Sequence, residues 1–425
     1  MSLRDSTPKH ISIYDQAFVA TYKKVFIAKV RHRLLPRACP YSANSGLQYM
    51  NSLPSSNTNE KPKKVLDGIQ YLRGLCAIIV VVSHSNGIIG KPEYYSRMVL
   101  PDWHVASVFA VAAFFAISGF IIVIASLDNS GEPRTSRKEF FRRRFIRIIP
   151  FLWICTLGYN LLSWAGTSQF DTWSTLRTLL LSPIGELKPN VAWSLRHEMI
   201  FYIIYAFTIM GAIRKPIWLL SWFAVSAIFY IFTYDFDILQ AHVTETWFEA
   251  LKVLMGGDHG ANFQFAIGMG FAYLYLLRPQ SLPLERIPAL AILGFTSAAG
   301  VIVTLSPLSA GFPDTMLWTA LCIPVLASAI CTRSNNGLAG KIGLILGNAS
   351  FSIYLVHNPV VLILLAIVMK LNLPFDGDGH LAAFRIFTIV AAIIVGVCVH
   401  YLVEAPIIRA FDHWTRKSPN LADNG

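Results

Sequence analysis

The sequence predicts an all-α, polytopic integral membrane bundle of about ten transmembrane helices with both termini in the cytoplasm. Three observations carry that expectation. Hydrophobic residues make up 54% of the 425-residue chain and charged residues only 14%, whereas a soluble domain carries about 25% charge. Apolar runs of the length that crosses a bilayer, about 20 residues, recur along most of the chain. Lys and Arg concentrate in alternate connections between those runs, as they do on the cytoplasmic side of membrane proteins. A mean hydropathy of +0.50 excludes a disordered chain, a collagen-like fibre and a string of small soluble domains, which would need more polar surface to cover them. The net charge of +12 is accounted for mostly as a topology signal, so nucleic acid is not an expected partner.

Taken in order, residues 1–60 form a polar, basic arm, and the stretch SANSGLQYMNSLPSSNTNEKPKK has no apolar period. It reads as a flexible cytoplasmic segment. Two origins fit equally: an amphipathic stretch near Ile13–Leu35 lying on an anionic leaflet, or an upstream start preceding a true first residue at Met50. The transmembrane domain is placed at 61–408, followed by a short cytoplasmic tail at 409–425. Its apolar runs lie near 72–90, 103–127, 148–166, 193–211, 216–234, 261–277, 287–305, 315–331, 351–370 and 382–403. With the N-terminus inside, the inner connections hold Lys61, Lys63, Lys64 and Arg73, the run Arg134 to Arg147, and basic residues from Arg214 to Lys417. The outer ones hold Lys91, Arg97, Arg177, Lys188 and Lys252, with Lys370 and Arg385 at run ends. The inverse orientation would invert the bias. The six cysteines form no C-x-x-C pair, so small buried hydrophobes is the better reading than a disulfide framework or a zinc site. No H-x-x-x-H or cysteine cluster points to a metal.

Two runs are interrupted by polar residues, which is costly in lipid and marks where chemistry is sought. In LDGIQYLRGLCAIIVVVSH, His84 follows Arg73 by eleven residues. On a helix that is three turns plus about 20°, so both side chains share a face about 16 Å apart along the axis. The pair suits a ligand with an anionic end at the cytoplasmic edge and a reactive end within the bilayer, where an imidazole can take a hydroxyl proton. The plainer reading makes Arg73 an interfacial anchor, held by Asp67, and His84 a partner to a neighbouring helix. In WSLRHEMIFY, Ser194 and Glu198 are neighbours at i,i+4. A Ser194–His197 nucleophile pair is discounted, since one helix at i,i+3 assures no Ser–His hydrogen bond and no G-x-S-x-G elbow is present. Glu198 could orient His84, bind an acceptor hydroxyl, or pair with Arg196. In RKEFFRRRFIRIIP, Arg144 and Arg147 share a face at i,i+3 and could grip phosphates, or anionic lipid head groups. Pro150 suits the first turn of the following helix. His357 in SIYLVHNP is either a second polar group in a cavity or a helix–helix contact. Glu404 is expected to pair with Arg409 or another nearby arginine.

These segments, in this order, resemble the membrane acyltransferase 3 family. Its first helix carries an arginine, ten residues and a histidine, as Arg73 and His84 do here. FFAISGFII at 114–122, the R-x-x-R of Arg144 and Arg147, the S-x-x-x-E of Ser194 and Glu198, LGNASFSIYLVHNPVV at 346–361 and the closing LVEAP are similar to its further motifs. The resemblance covers about residues 66–408. Gln70 stands where the family often has a basic residue, and Phe351 where Tyr is common. What the resemblance implies is O-acylation of a carbohydrate, such as exopolysaccharide, lipopolysaccharide or lipo-oligosaccharide, by a multi-pass enzyme of a bacterial cytoplasmic membrane. The donor would be acetyl-CoA from the cytoplasm, held by Arg73, Arg144 and Arg147. His84 and Glu198 would be catalytic, with Ser194 and His357 at the acceptor. The rival class is a transporter or flippase for glycan or lipid, which would share the spans and buried charges without the chemistry.

Overall fold

The computed structural model describes residues 67–417 apart from 98, 168–169, 212–214, 236–245, 258, 278–313, 333–336, 372 and 374–376. The expected N-terminal arm and the seventh apolar run, 287–305, lie outside them. The described helices are α1 (Asp67–Ile89), α2 (His104–Ser126), α3 (Arg137–Thr167), α4 (Thr172–Leu180), α5 (Trp193–Thr208), α6 (Pro216–Tyr230), α7 (Thr246–Leu254), α8 (Ala261–Leu277), α9 (Asp314–Cys331), α10 (Leu338–Lys370), α11 (Asp378–Val399) and α12 (Ala405–Lys417). Among the described residues there is no β-strand. Helices satisfy their own backbone groups, which is what lipid demands. Six segments are long and apolar enough to cross a membrane: α1, α2, α3, α6 together with the π-helical turn that carries it to Thr233, α10, and α11 continued to Thr415. The other apolar runs within the described residues form α5, α8 and α9, of 16, 17 and 18 residues. Large apolar side chains such as Leu161, Phe207, Trp218, Leu220, Ile386 and Leu402 stand exposed on the outside, as lipid-facing positions do.

Small residues set the helix spacing at the centre. Hydrocarbon tails give helices no hydrophobic reason to associate, so close backbone packing takes that role. A Cβ on Gly347 of α10 would lie 2.1 Å from the Gln70 carbonyl oxygen of α1, and one on Gly268 of α8 would lie 1.9 Å from the Ala116 carbonyl oxygen of α2. Aromatic pairs fill the next layer, with Phe201 of α5 stacked on Phe265 of α8 at 4.0 Å between centroids.

The structure redraws one boundary. The basic segment and the third apolar run form a single 31-residue helix, with Pro150 in its interior. Proline tolerates a first turn but also survives inside a helix at the loss of one backbone hydrogen bond. Arg147 is therefore fixed on the rigid helix that enters the bundle. The approach to α5 through Val191 and Ala192 is also buried, so Ser194 begins this helix inside the bundle.

Candidate active site

One cavity gathers Arg73, Arg147, Ser194 and Glu198 from the residues singled out above. It is lined by Arg73 of α1, Ser118 of α2, Arg147 of α3, Ser194, Glu198 and Tyr202 of α5, and Ser350 and Tyr354 of α10, with about 90 Å³ of open space. Phe114, Phe115, Ile148 and Phe351 supply apolar wall. Each polar member comes from a different turn of a helix already fixed by packing. Gly74 and Gly347 bring α1 against α10, and Gly119 and Gly268 bring α2 against α8.

The arginines of α3 divide into two sets. Arg142 Nε and Arg143 Nε both donate to Glu139, each at 2.6 Å, and Arg142 also reaches Asp412 at 2.8 Å and Thr415 at 2.7 Å on α12. These two guanidinium groups are committed to structure. Arg147 faces the cavity, and among the described residues neither it nor Arg73 makes an ion pair within 4 Å. Arg73 Nη1 donates to Gln70 Oε1 at 3.2 Å. The expected partner, Asp67, is six residues away and so a third of a turn off the Arg73 face. Arg144 does not line the cavity; its guanidinium lies over the Phe140 and Tyr202 rings, 5.7 and 5.2 Å from their centroids.

Glu198 accepts from Ser118 Oγ at 2.8 Å and from Tyr202 Oη. Among the described residues no hydrogen bond joins it to His84, so the orienting role weighed for it is not what the geometry supports. Nor does it pair with Arg196, whose Nη2 donates to the Gly185 carbonyl at 2.9 Å. The Ser194 and Tyr354 hydroxyls lie 3.0 Å apart, and both reach the Val191 carbonyl, at 3.3 and 3.0 Å. His197 points elsewhere and donates from Nδ1 to the Val253 carbonyl at 3.0 Å. The Ser194–His197 pair is thus absent among the described residues, in line with its discounting from sequence.

His84 does share a helix with Arg73, but its partner is His357: the rings are stacked with centroids 5.1 Å apart, and His84 Nδ1 lies 2.8 Å from His357 Nε2. Neither histidine lines the cavity itself. Tyr354 links the two regions, lining the cavity on one side with its ring 6.1 Å from that of His357 on the other. On the inner side Glu404 is 1% exposed and accepts from Ser352 Oγ at 2.5 Å and His400 Nδ1 at 2.8 Å. The expected bond to Arg409 gives way to these, because a five-residue π-helical turn, His400–Glu404, turns the carboxylate inward. Tyr202, Ser118 and Tyr354 were not anticipated. Tyr202 stands four residues after Glu198 in the same motif, so spacing alone could have found it; Ser118 and Tyr354 come from other helices.

The profile of a family described as an acyltransferase domain matches residues 66–403. The exopolysaccharide production protein ExoZ of Rhizobium meliloti is 26% identical over 314 residues, covering 70% of this chain and 89% of its own length. The acyltransferase MdmB of Streptomyces mycarofaciens is 25% identical over 375 residues, covering 81% of this chain and 92% of its own. No solved structure matches the chain. A transferase profile spanning every residue of the cavity leaves the non-enzymatic transporter reading without support: the chain belongs to the acyltransferase 3 family and is an integral membrane acyltransferase.

Proposed function

We propose that the protein transfers an acyl group, acetyl in the simplest case, from cytoplasmic acyl-CoA to a hydroxyl of a carbohydrate or lipid-linked glycan at a bacterial cytoplasmic membrane. The observation that carries this reading is the convergence of two guanidinium groups, Arg73 and Arg147, which meet no carboxylate among the described residues, on a cavity whose far wall leads through Tyr354 to the His84–His357 pair. Acyl-CoA is an anion at one end and a thioester at the other. Guanidinium groups without carboxylate partners favour phosphate oxygens, and the Ser350 hydroxyl, 1% exposed and without a hydrogen-bond partner, is a spare donor on the cavity wall. Arg144, beside this cavity over the Tyr202 ring, adds positive charge to the same end. Membrane lipid surrounds the outer face.

The chemistry follows from the types of group. His84 takes the proton of the acceptor hydroxyl as that oxygen bonds to the thioester carbonyl carbon. The carbon–sulfur bond breaks, and the CoA thiolate leaves and recovers the proton. The products are an ester and free CoA thiol, with no change of oxidation state. General-base assistance of this kind is worth about 10²–10⁴-fold. Glu198, held by Ser118 and Tyr202, together with Ser194, offers the acceptor hydroxyls hydrogen-bonding groups. The relative ExoZ is named for exopolysaccharide production, which favours a sugar acceptor.

The test is mass spectrometry of surface glycans from cells lacking the protein and from cells re-expressing it or its His84→Ala variant. Ester-linked acyl groups should vanish on deletion, return with the native protein, and stay absent with the variant at a normal protein level. Normal acylation by the variant, or unchanged glycan on deletion, would remove the proposal.

A further inference from the structure

We infer that His357 sets the tautomer of His84 and so aims its basic nitrogen; this deepens the acyltransferase reading and rests on it for the catalytic consequence. His357 Nδ1 lies 3.2 Å from the Ile353 carbonyl oxygen. A carbonyl can only accept, so in that hydrogen bond Nδ1 carries the proton. A neutral imidazole has one N–H, which leaves His357 Nε2 as a lone pair. That lone pair faces His84 Nδ1 at 2.8 Å, so His84 Nδ1 is the donor. His84 Nε2 is then the unprotonated nitrogen. One backbone carbonyl thus fixes, through two rings, the atom that takes the proton from the acceptor.

The surroundings hold this arrangement. His357 is 0% exposed, so water does not compete for its ring. Ile353 and His357 are i,i+4 on α10, a geometry the helix itself maintains. His104 and Asn358 also act on His84. The Asn358 carboxamide oxygen is buried without a hydrogen-bond partner in this geometry. When His84 gains a proton at Nε2 it becomes a cation whose Nδ1–H still donates to His357, and the Asn358 oxygen is an acceptor close by. The proton arrives from the acceptor hydroxyl and leaves with the CoA thiolate, so the pair returns to its starting state. His357 touches no reacting atom in this scheme. It is a positioning residue, as the carboxylate that fixes a catalytic imidazole is elsewhere; a wrong tautomer at such a site costs up to about 10⁴-fold in kcat.

The experiment uses the full chain in proteoliposomes, labelled with ¹⁵N-histidine, and solid-state NMR at a pH where the imidazoles are neutral. Signals of His84 are identified by their loss in His84→Gln. Protonated Nδ1 and bare Nε2 on His84 are expected in the native protein and in His357→Gln, whose amide oxygen can replace the ring lone pair as acceptor. In His357→Leu the Nε2–H form should appear. With acetyl-CoA as donor, kcat should fall at least about 100-fold in the Leu variant with KM for the donor unchanged, and within about tenfold in the Gln variant. A native His84 bearing its proton on Nε2 overturns the inference, and so do equal kcat losses in both variants with an unchanged tautomer. The NMR readout needs no turnover. If native protein transfers nothing from any acyl-CoA, the acyltransfer reading fails while the tautomer measurement still decides the assignment of protons.

Discussion

At the level of single residues, the arginines of α3 show that a basic cluster is not one thing. Arg142 and Arg143 spend their charge on Glu139, while Arg147, one turn further, meets no carboxylate within 4 Å among the described residues and faces the cavity. Substituting the two kinds should therefore have different effects. Arg147→Ala should weaken acyl-CoA binding by about 10–100-fold, the 1.5–3 kcal/mol of a hydrogen bond to a charged group. Arg143→Ala should change it little. Titration of purified protein with labelled donor measures both, and equal losses would count against a phosphate role for Arg147. Tyr202 makes a second case. Its hydroxyl and Ser118 share one oxygen of Glu198, so Tyr202→Phe leaves a part-buried carboxylate with one fewer donor. The expected cost is about 1–3 kcal/mol, read as a lower melting temperature in detergent. Ser194, Glu198, Arg144 and Arg147 were legible in the sequence because i,i+3 and i,i+4 spacings on one helix are arithmetic. Which of them face the cavity was not. That depends on how neighbouring helices rotate, and Arg144, one position of an R-x-x-R pair, turns to aromatic rings instead.

Among the elements, α1 and α10 matter most, because the site lies along their shared seam. Arg73 and Ser350 line the cavity near one end, and His84 meets His357 further along. A side chain at Gly347 would strike the Gln70 backbone, which cannot yield without moving the whole helix. Gly347→Ala should cost about 1–3 kcal/mol as overpacking and depress activity as well as stability. Gly270→Ala on α8, where an added Cβ meets nothing within 4 Å, should do neither. Thermal melting and a transfer assay on the two variants separate a packing effect from a general dislike of losing glycine. Outside the membrane, α4 depends on Asp171, which caps Ser174 N–H at 3.0 Å and accepts from Lys188 Nζ at 2.7 Å. The Lys188 ammonium and the Ser174 amide hold its carboxyl down to about 2. An unfolded aspartate titrates near 4, so the bond's stabilisation is full above that value and fades as pH falls towards 2. The pair is partly exposed and its worth is small. Asp171→Asn should lower the melting temperature slightly at neutral pH, and that difference from the native protein should shrink as pH falls from about 4 towards 2. The helices themselves were readable from apolar runs, whereas their ends were not. Pro150 fits a helix start because proline is comfortable at N1, and only tertiary packing of the basic turns reveals that the helix begins at Arg137.

Across the whole molecule, two ion pairs sort the connections onto opposite sides. Arg142 at the start of α3 binds Asp412 of α12, which places the turn between α2 and α3 on the side of the C-terminal helix. Arg97, in the connection between α1 and α2, binds Asp378 at the start of α11 at 3.1 Å, on the other side. The charge bias over the chain predicts that the first of these sides faces the cytoplasm, and on the proposed function that assignment decides which compartment supplies the donor to Arg73 and Arg147. Single cysteines in a cysteine-free background test it. Glu93→Cys and Ser130→Cys both fall at described, exposed positions, so neither is hidden by packing. A membrane-impermeant thiol reagent applied outside intact cells should label Glu93→Cys and spare Ser130→Cys until the membrane is opened. The reverse pattern would place the arginine end of the cavity outside, where acyl-CoA is not found, and the cytoplasmic donor would fall even with every helix correctly drawn. Labelling as expected would leave one direction for the acyl group to travel: in past Arg73 and Arg147, and on towards His84, about 16 Å deeper along α1.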